Sequence, residues 1–130
     1  MNESIQPDGW PRPTGYSNAV SATGRIIALA GQIGWNPRTQ AFDSDDFVEQ
    51  TRQALQNVVA ILDAAGARAE NVVRLVWYVT NANNYLWNLK GVGAAYREVF
   101  GGHYPAMSVV VVAGLLERRA LVEIEALAVV

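Results

Sequence analysis

Apolar side chains recur at intervals of three and four residues between Phe47 and Ala65, a spacing that places them on one face of a helix. The residues on this stripe are Phe47, Thr51, Leu55, Val58, Leu62 and Ala65. Gly66 follows as a C-terminal stop, and Asp43 or Ser44 is suited to cap the first turn. The pattern therefore predicts a first helix with one buried face.

A second helical pattern runs from about Asn84 to Phe100 and ends at Gly101-Gly102. Its apolar stripe consists of Tyr85, Leu89, Val92, Tyr96 and Val99. Gly91 and Gly93 lie inside this segment, and each costs a helix about 1 kcal/mol relative to alanine. Close packing against a strand, or a local irregularity in the helix, would explain why glycine stands there.

Five segments have the β-branched or alternating character of strands. They are 17–22, 25–32, 72–80, 107–114 and 121–130. The first two are joined by Thr23-Gly24 and are predicted to form a hairpin, whereas 72–80 is predicted to be a central strand. The order β-β-α-β-α-β-β indicates an α+β fold with both helices on one face of one sheet.

Two carboxylates interrupt the last strand. With a period of two, Glu123 and Glu125 share one face, and the apolar row beginning at Val122 takes the other face, under the helices. We expect the carboxylate face also to receive Leu121, Leu127, Val129, Met107, Val109 and Val111. Because this face would be too apolar for water, it predicts that subunits pack sheet against sheet.

Composition narrows the class of protein. The 130 residues suffice for one domain, 1–130, in which the Pro- and Gly-rich residues 1–15 are expected to form an extended arm. Hydrophobic residues make up 51% and charged residues only 17%, which again favours self-association. Ten basic and twelve acidic residues give a net charge of -2 without a basic block, so nucleic acid is a poor partner.

Several kinds of site are excluded. There is no cysteine and only one histidine, so neither a disulfide nor an ordinary transition-metal site can form, and we expect no metal and no cofactor. No apolar run reaches the length of a membrane span. The first residues lack the charged segment followed by an apolar segment that is typical of a signal peptide. We expect a soluble, cytoplasmic protein that does not bind membranes.

Short motifs distributed from Gly15 to Ala128 form an ordered set. They are Gly15-Tyr16-Ser17, Ala30-Gly31-Gln32-Ile33, Gln50-Thr51 with Ala54-Leu55-Gln56-Asn57, Ala65-Gly66-Ala67, Tyr96 with Phe100, Pro105-Ala106-Met107-Ser108, and Val122-Glu123-Ile124-Glu125-Ala126. Each motif alone is weak, but together they resemble the RidA (YjgF) family of reactive-intermediate deaminases. The resemblance implies a chorismate-mutase-like α+β fold, a homotrimer, and small-molecule clefts between subunits in which imines or enamines are hydrolysed.

The chain departs from this family where chemistry is expected. An arginine of the family, which follows Pro-Ala and binds the substrate carboxylate, is replaced by Met107. Methionine offers a flexible apolar wall instead of a planar cation. Ala30 stands where many members have serine, and the segment from Tyr85 to Tyr96 is about one helical turn longer than usual.

The resemblance also implies roles for individual residues. Glu123 matches the carboxylate that activates water, and the alternative interpretation is an ion pair with an arginine of a neighbouring subunit. Glu125 is interpreted as a structural partner of Arg25, Arg74 or Arg118. Tyr16 either closes over a ligand or anchors the arm. The expected substrate-binding residues are Tyr16, Gly31, Ile33, Met107, Ser108 and Val109.

The resulting hypothesis is a RidA-like trimer that hydrolyses an imine or enamine other than the usual 2-imino acids. The alternative is a ligand-binding or interaction protein of the same fold that has lost the reaction. A ribonuclease or translation-inhibitor function, another label of the family, is disfavoured by the missing basic patch.

Overall fold

The structure is a computed structural model and describes residues 2–130. Nine helices and strands in this part of the chain position the site. They are β1 (Glu3–Ile5), β2 (Ala19–Ser21), β3 (Ile26–Ile33), α1 (Phe47–Ala64), β4 (Val72–Val79), α2 (Ala82–Leu86), α3 (Leu89–Phe100), β5 (Ala106–Val111) and β6 (Val122–Val129). A short 3-10 turn, Ala69–Asn71, leads into β4.

The main sheet has the strand order β3-β6-β4-β5. Strand β6 pairs antiparallel with β3 and β4, and β4 pairs parallel with β5. Helix α1 packs on β3, β6 and α3, so the helices cover one face of the sheet. This is the α+β architecture that the sequence predicted. None of the helices in residues 2–130 combines the length and the apolar surface needed to cross a membrane.

Helix α1 buries the predicted stripe. Leu55, Val58 and Leu62 are completely buried, which confirms the interpretation of the 3.6-residue period. The predicted cap was wrong, because Asp46 rather than Asp43 or Ser44 is the N-cap. Its carboxylate accepts a hydrogen bond from the Glu49 amide at 3.0 Å, while the Ser44 hydroxyl accepts from the Asp46 amide.

The predicted N-terminal hairpin does not form. Strand β2 pairs with β1 inside the arm, whereas β3 pairs with β6. Ser17 explains the difference, because its amide donates to the Pro105 carbonyl at 3.0 Å and its hydroxyl donates to the Tyr104 carbonyl at 2.6 Å. These bonds hold the segment beside the start of β5, at the edge of the sheet opposite β3. The arm is therefore partly a strand, which its prolines and glycines did not suggest.

The second predicted helix is two helices, α2 and α3. Asparagine side chains compete with the backbone here: the Asn81 side chain caps α2 by accepting from the Asn83 amide, and the Asn88 amide group donates to the Asn84 carbonyl. Gly91 does reflect close packing, but against α1 rather than a strand. A Cβ at Gly91 would lie 3.0 Å from the Val48 side chain.

The faces of the last two strands were predicted with different success. Val122, Ile124, Ala126 and Ala128 of β6 are buried under the helices, as expected, with Glu123 and Glu125 on the far face. Met107, Val109 and Val111 were assigned to the far face, and this was wrong. They pair with the buried Leu75, Trp77 and Val79 of β4, and Met107 and Val109 contact the core from the helix side. The far face receives the alternate residues of β5 instead.

Gly34, just after β3, lies against the backbone of α1. We therefore expect Gly34→Ala to lower the free energy of unfolding by about 1 to 3 kcal/mol. A Cβ there would lie 2.6 Å from the Cα of Gln50. That backbone cannot retreat easily, because the buried Gln50 side chain bonds the carbonyls of Ser44 and Arg119 and the amide of Leu121.

Urea unfolding monitored by circular dichroism measures this effect. Gly102→Ala is the matched control, because a Cβ at Gly102 would meet nothing within 4 Å. Equal unfolding midpoints for the two variants would contradict the close approach of β3 and α1.

Candidate functional site

The far face of the sheet carries rows of side chains that run across the strands. In one row, Glu123 of β6 lies opposite Tyr78 of β4, which in turn lies opposite Val110 of β5. The next row contains Glu125 and Ser108 at its two ends. Both carboxylates therefore lie on the sheet face that the helices leave uncovered.

The two carboxylates have different surroundings, and Glu125 is already engaged. It accepts a hydrogen bond from the Tyr78 hydroxyl, and this bond raises the pKa of Tyr78 because the protonated phenol is its donor. Burial and the negative charges of both glutamates raise it further. The expected ion pair of Glu125 with an arginine is not formed within residues 2–130. Glu125 is thus held by a phenol rather than a guanidinium.

The surroundings of Glu123 differ from those of Glu125. Within the described residues its carboxylate makes neither a hydrogen bond nor an ion pair. Its side chain packs directly over Gly31, where a Cβ would lie 2.7 Å from the carboxylate carbon of Glu123. Gly31 belongs to an irregularity in β3 between Leu29 and Gln32, beyond which Ile33 pairs with Glu123. The chain thus brings Gly31, Ile33 and Glu123 together.

A second group of predicted residues meets at the β5 edge. Tyr16, Met107 and Ser108 line a pocket of about 250 Å³, together with the exposed Arg74. The hydrogen bonds from Ser17 to the carbonyls of Tyr104 and Pro105 place Tyr16 there. Strands β5 and β6 are separated by β4, so this pocket lies roughly 10 Å across the sheet from the Glu123 strand.

Met107 also lines a larger groove, of about 410 Å³, between the β4–β5 edge and helices α2 and α3. Its walls are aromatic and aliphatic: Trp77, Tyr85, Leu89, Val92, Tyr96 and Tyr104. Burial raises the pKa of Tyr85 and of Tyr96, so both phenols stay neutral. Val109 is packed against the core instead of opening to this space. Met107, which stands where the resemblance leads us to expect an arginine, thus borders an apolar groove.

The sequence did not single out Arg97, which is the one charged residue among residues 2–130 that lines the groove. It stands four residues after Gly93 in α3, so the two lie on one helix face. The spacing of four residues between a glycine and an arginine could have indicated that the arginine side chain lies over the glycine. The prediction from sequence rested only on the apolar stripe of this helix and therefore missed Arg97.

The single histidine, His103, makes a contact within the fold. Nε2 of His103 lies 2.7 Å from the Val72 carbonyl oxygen, at the start of β4. Across residues 2–130, no three His, Cys, Asp or Glu side chains converge in a way that could hold a metal ion.

Comparison with known proteins agrees with the fold and the motifs. The family model described as endoribonuclease L-PSP matches residues 11–130. A RutC family protein of Pyrococcus horikoshii is 37% identical, covering 98% of both chains. The 2-iminobutanoate/2-iminopropanoate deaminase of Escherichia coli is 35% identical over 99% of this chain and 98% of its own.

The crystal structure of a Rid family protein from Yersinia pestis superposes with a TM-score of 0.87 at 34% identity, covering 99% of this chain and 98% of that one. Sequence, motifs and architecture lead to the same assignment, and the chain belongs to the RidA (YjgF) family.

Proposed function

We propose that the protein is an imine or enamine hydrolase in which Glu123 activates the attacking water. The observation that carries this proposal is the carboxylate of Glu123, which lies over Gly31 without a hydrogen bond or ion pair in residues 2–130. A relative named a deaminase of 2-imino acids supports the reaction class.

The chemistry requires a group that accepts and returns protons. Glu123 takes a proton from water while the water oxygen bonds to the imine carbon, and the C=N double bond becomes a single bond. The proton then reaches the nitrogen, which gives a carbinolamine. Glu123 next takes the proton of the new hydroxyl and passes it to the nitrogen, so that ammonia leaves as the C–N bond breaks and the carbon becomes a carbonyl. An enamine enters the same sequence after protonation at carbon.

The site is proposed to lie between subunits of a homotrimer. The Glu123 group and the Tyr16–Met107 pocket lie on different strands of one chain, and a second copy is needed to bring one group against the other. Apolar residues at the sheet's edges support self-association, since Ile26 and Val111 are 67% and 58% exposed.

Light scattering tests this assembly. We expect the mass of a trimer at micromolar concentration, and a monomer would contradict the cleft between subunits. That result would leave the chemistry of Glu123 to be tested separately.

The substrate is proposed to differ from the usual small 2-imino acids. Met107 cannot make the paired contact of a guanidinium with a carboxylate, and it borders an apolar groove. Arg74 reaches the pocket beside Met107 and can serve a more distant acid group. We therefore expect imines with larger apolar side chains to be preferred.

An assay with imines formed in situ tests the function. An amino-acid oxidase supplies the imine of alanine, leucine or phenylalanine, and semicarbazide competes with the protein for it. We expect the protein to lower semicarbazone formation most with the larger side chains. Equal semicarbazone yields with and without protein for every imine would refute hydrolysis. That result would favour the alternative, a non-catalytic ligand-binding protein. The presence of Met107 in place of an arginine also supports this alternative.

A further inference from the structure

The groove between the β4–β5 edge and helices α2 and α3 has the dimensions and walls of a small-molecule site. Its volume of about 410 Å³ falls within the range of ligand pockets. Trp77 and Tyr96, which form its inner wall, are almost completely buried, so the wall is rigid. Met107 also lines the groove, with a side chain that can adapt to different ligand shapes.

The aromatic wall is held by contacts that leave its rings in place. Trp77 meets Tyr85 edge to face at 6.0 Å, and Tyr96 stacks on Tyr104 with ring centroids 5.3 Å apart. The Tyr96 hydroxyl donates to the His103 carbonyl at 2.5 Å. This phenol therefore already has an acceptor, and the wall offers a ligand mainly apolar and ring surface.

Within the part of the chain that the structure describes, Arg97 is the only charged residue lining the groove. Its guanidinium folds back along α3 over Gly93, where a Cβ would lie 3.3 Å from Nη1. The Arg97 side chain therefore points away from the C-terminal carbonyls of the helix. Interaction with the helix dipole does not explain this position of the guanidinium.

No carboxylate of the described residues forms an ion pair with the Arg97 guanidinium. Arg97 takes part in none of the ion pairs within 2–130, and the adjacent Glu98 is bound to Arg52 at 2.6 Å. A guanidinium with free donors beside an apolar cavity matches a ligand that has one anionic end and one apolar end.

We propose that this groove binds small monocarboxylates that carry an aromatic or branched apolar group, with the carboxylate on Arg97 and the apolar group between Met107 and the aromatic wall. One cation matches one negative charge, which disfavours dianions. The site stands on the groove alone and does not depend on hydrolysis by Glu123.

Calorimetric titration with phenylacetate and with the neutral phenylacetamide tests the proposal, since neither compound has a C=N bond. We expect wild type to bind phenylacetate more tightly. Arg97→Gln should weaken phenylacetate binding at least tenfold while leaving phenylacetamide unchanged. Lys90→Gln removes the same charge from an exposed position of α3 outside the groove and should change neither.

A second variant tests the position of the site. Gly93→Leu keeps the net charge and suits a helix, but its side chain would displace the guanidinium and fill the mouth of the groove. We expect it to abolish binding of both compounds. The proposal is overturned if wild type binds no phenylacetate, or if Arg97→Gln binds it as tightly as wild type does.

Discussion

Glu123→Gln is expected to lower the rate of imine hydrolysis by roughly 10²- to 10⁴-fold, the usual contribution of a positioned general base. The amide has nearly the shape of the carboxylate, so it should still pack over Gly31. It cannot accept the proton of the attacking water, however. The semicarbazide competition assay measures the loss, and an unchanged circular dichroism spectrum would show that the fold is intact.

Glu125→Gln is the matched control, because it makes the same chemical change two residues away on the same face. Its side-chain oxygen can still accept from Tyr78, so we expect activity within about threefold of wild type, consistent with a neutral hydrogen bond being only modestly weaker than a charged one. Wild-type activity in Glu123→Gln, or an equal loss in both variants, would exclude Glu123 as the specific base.

Gly31→Ala tests the position of the Glu123 carboxylate without changing Glu123 itself. The added Cβ would lie 2.7 Å from two carbons of the Glu123 side chain, which must then turn away. Because that side chain is flexible and makes no hydrogen bond in residues 2–130, we expect lost activity with little change in the urea midpoint. Full activity in Gly31→Ala would contradict the arrangement of Gly31 and Glu123.

Met107→Arg is expected to raise kcat/KM for the 2-imino acid derived from alanine by about 10²-fold. A charge-assisted paired contact with a carboxylate is worth on the order of 2 to 4 kcal/mol. Residue 107 borders both the pocket beside Tyr16 and the apolar groove, so a long side chain has space there. The same assay, run at several substrate concentrations, gives the two kinetic constants.

Met107→Lys is the control for this gain. Lysine restores the charge but not the planar pair of donors, so we expect a smaller increase. If Met107→Arg is no faster than wild type on small 2-imino acids, then the missing guanidinium is not what limits activity on them.

The sequence predicted α1 and the central strand well, because each depends on a local periodicity. The alternation in β6 correctly separated the buried Val122 row from the two glutamates. The same reasoning failed for β5, since a strand at the edge of a sheet has little burial contrast along its length. Only its register with Leu75 and Trp77 determines that Met107 and Val109 face the helices.

The N-terminal segment shows why pairing was harder to predict than strand formation. Residues 17–22 and 25–32 are adjacent and extended, which suggests a hairpin. The bonds from Ser17 to Tyr104 and Pro105 join positions almost ninety residues apart and decide otherwise. No local pattern contains that information.

The sequence by itself determined the family, the two helical regions, the carboxylates of the last strand and the presence of Met107 where the resemblance leads us to expect an arginine. The tertiary structure decided which carboxylate is engaged by Tyr78 and which packs over Gly31 without a partner in residues 2–130, and it placed Arg97 beside an aromatic groove. The physical reason is range: periodicity and motifs follow from neighbours along the chain, whereas the partner of a charge is set by strands and helices that meet only in the folded protein.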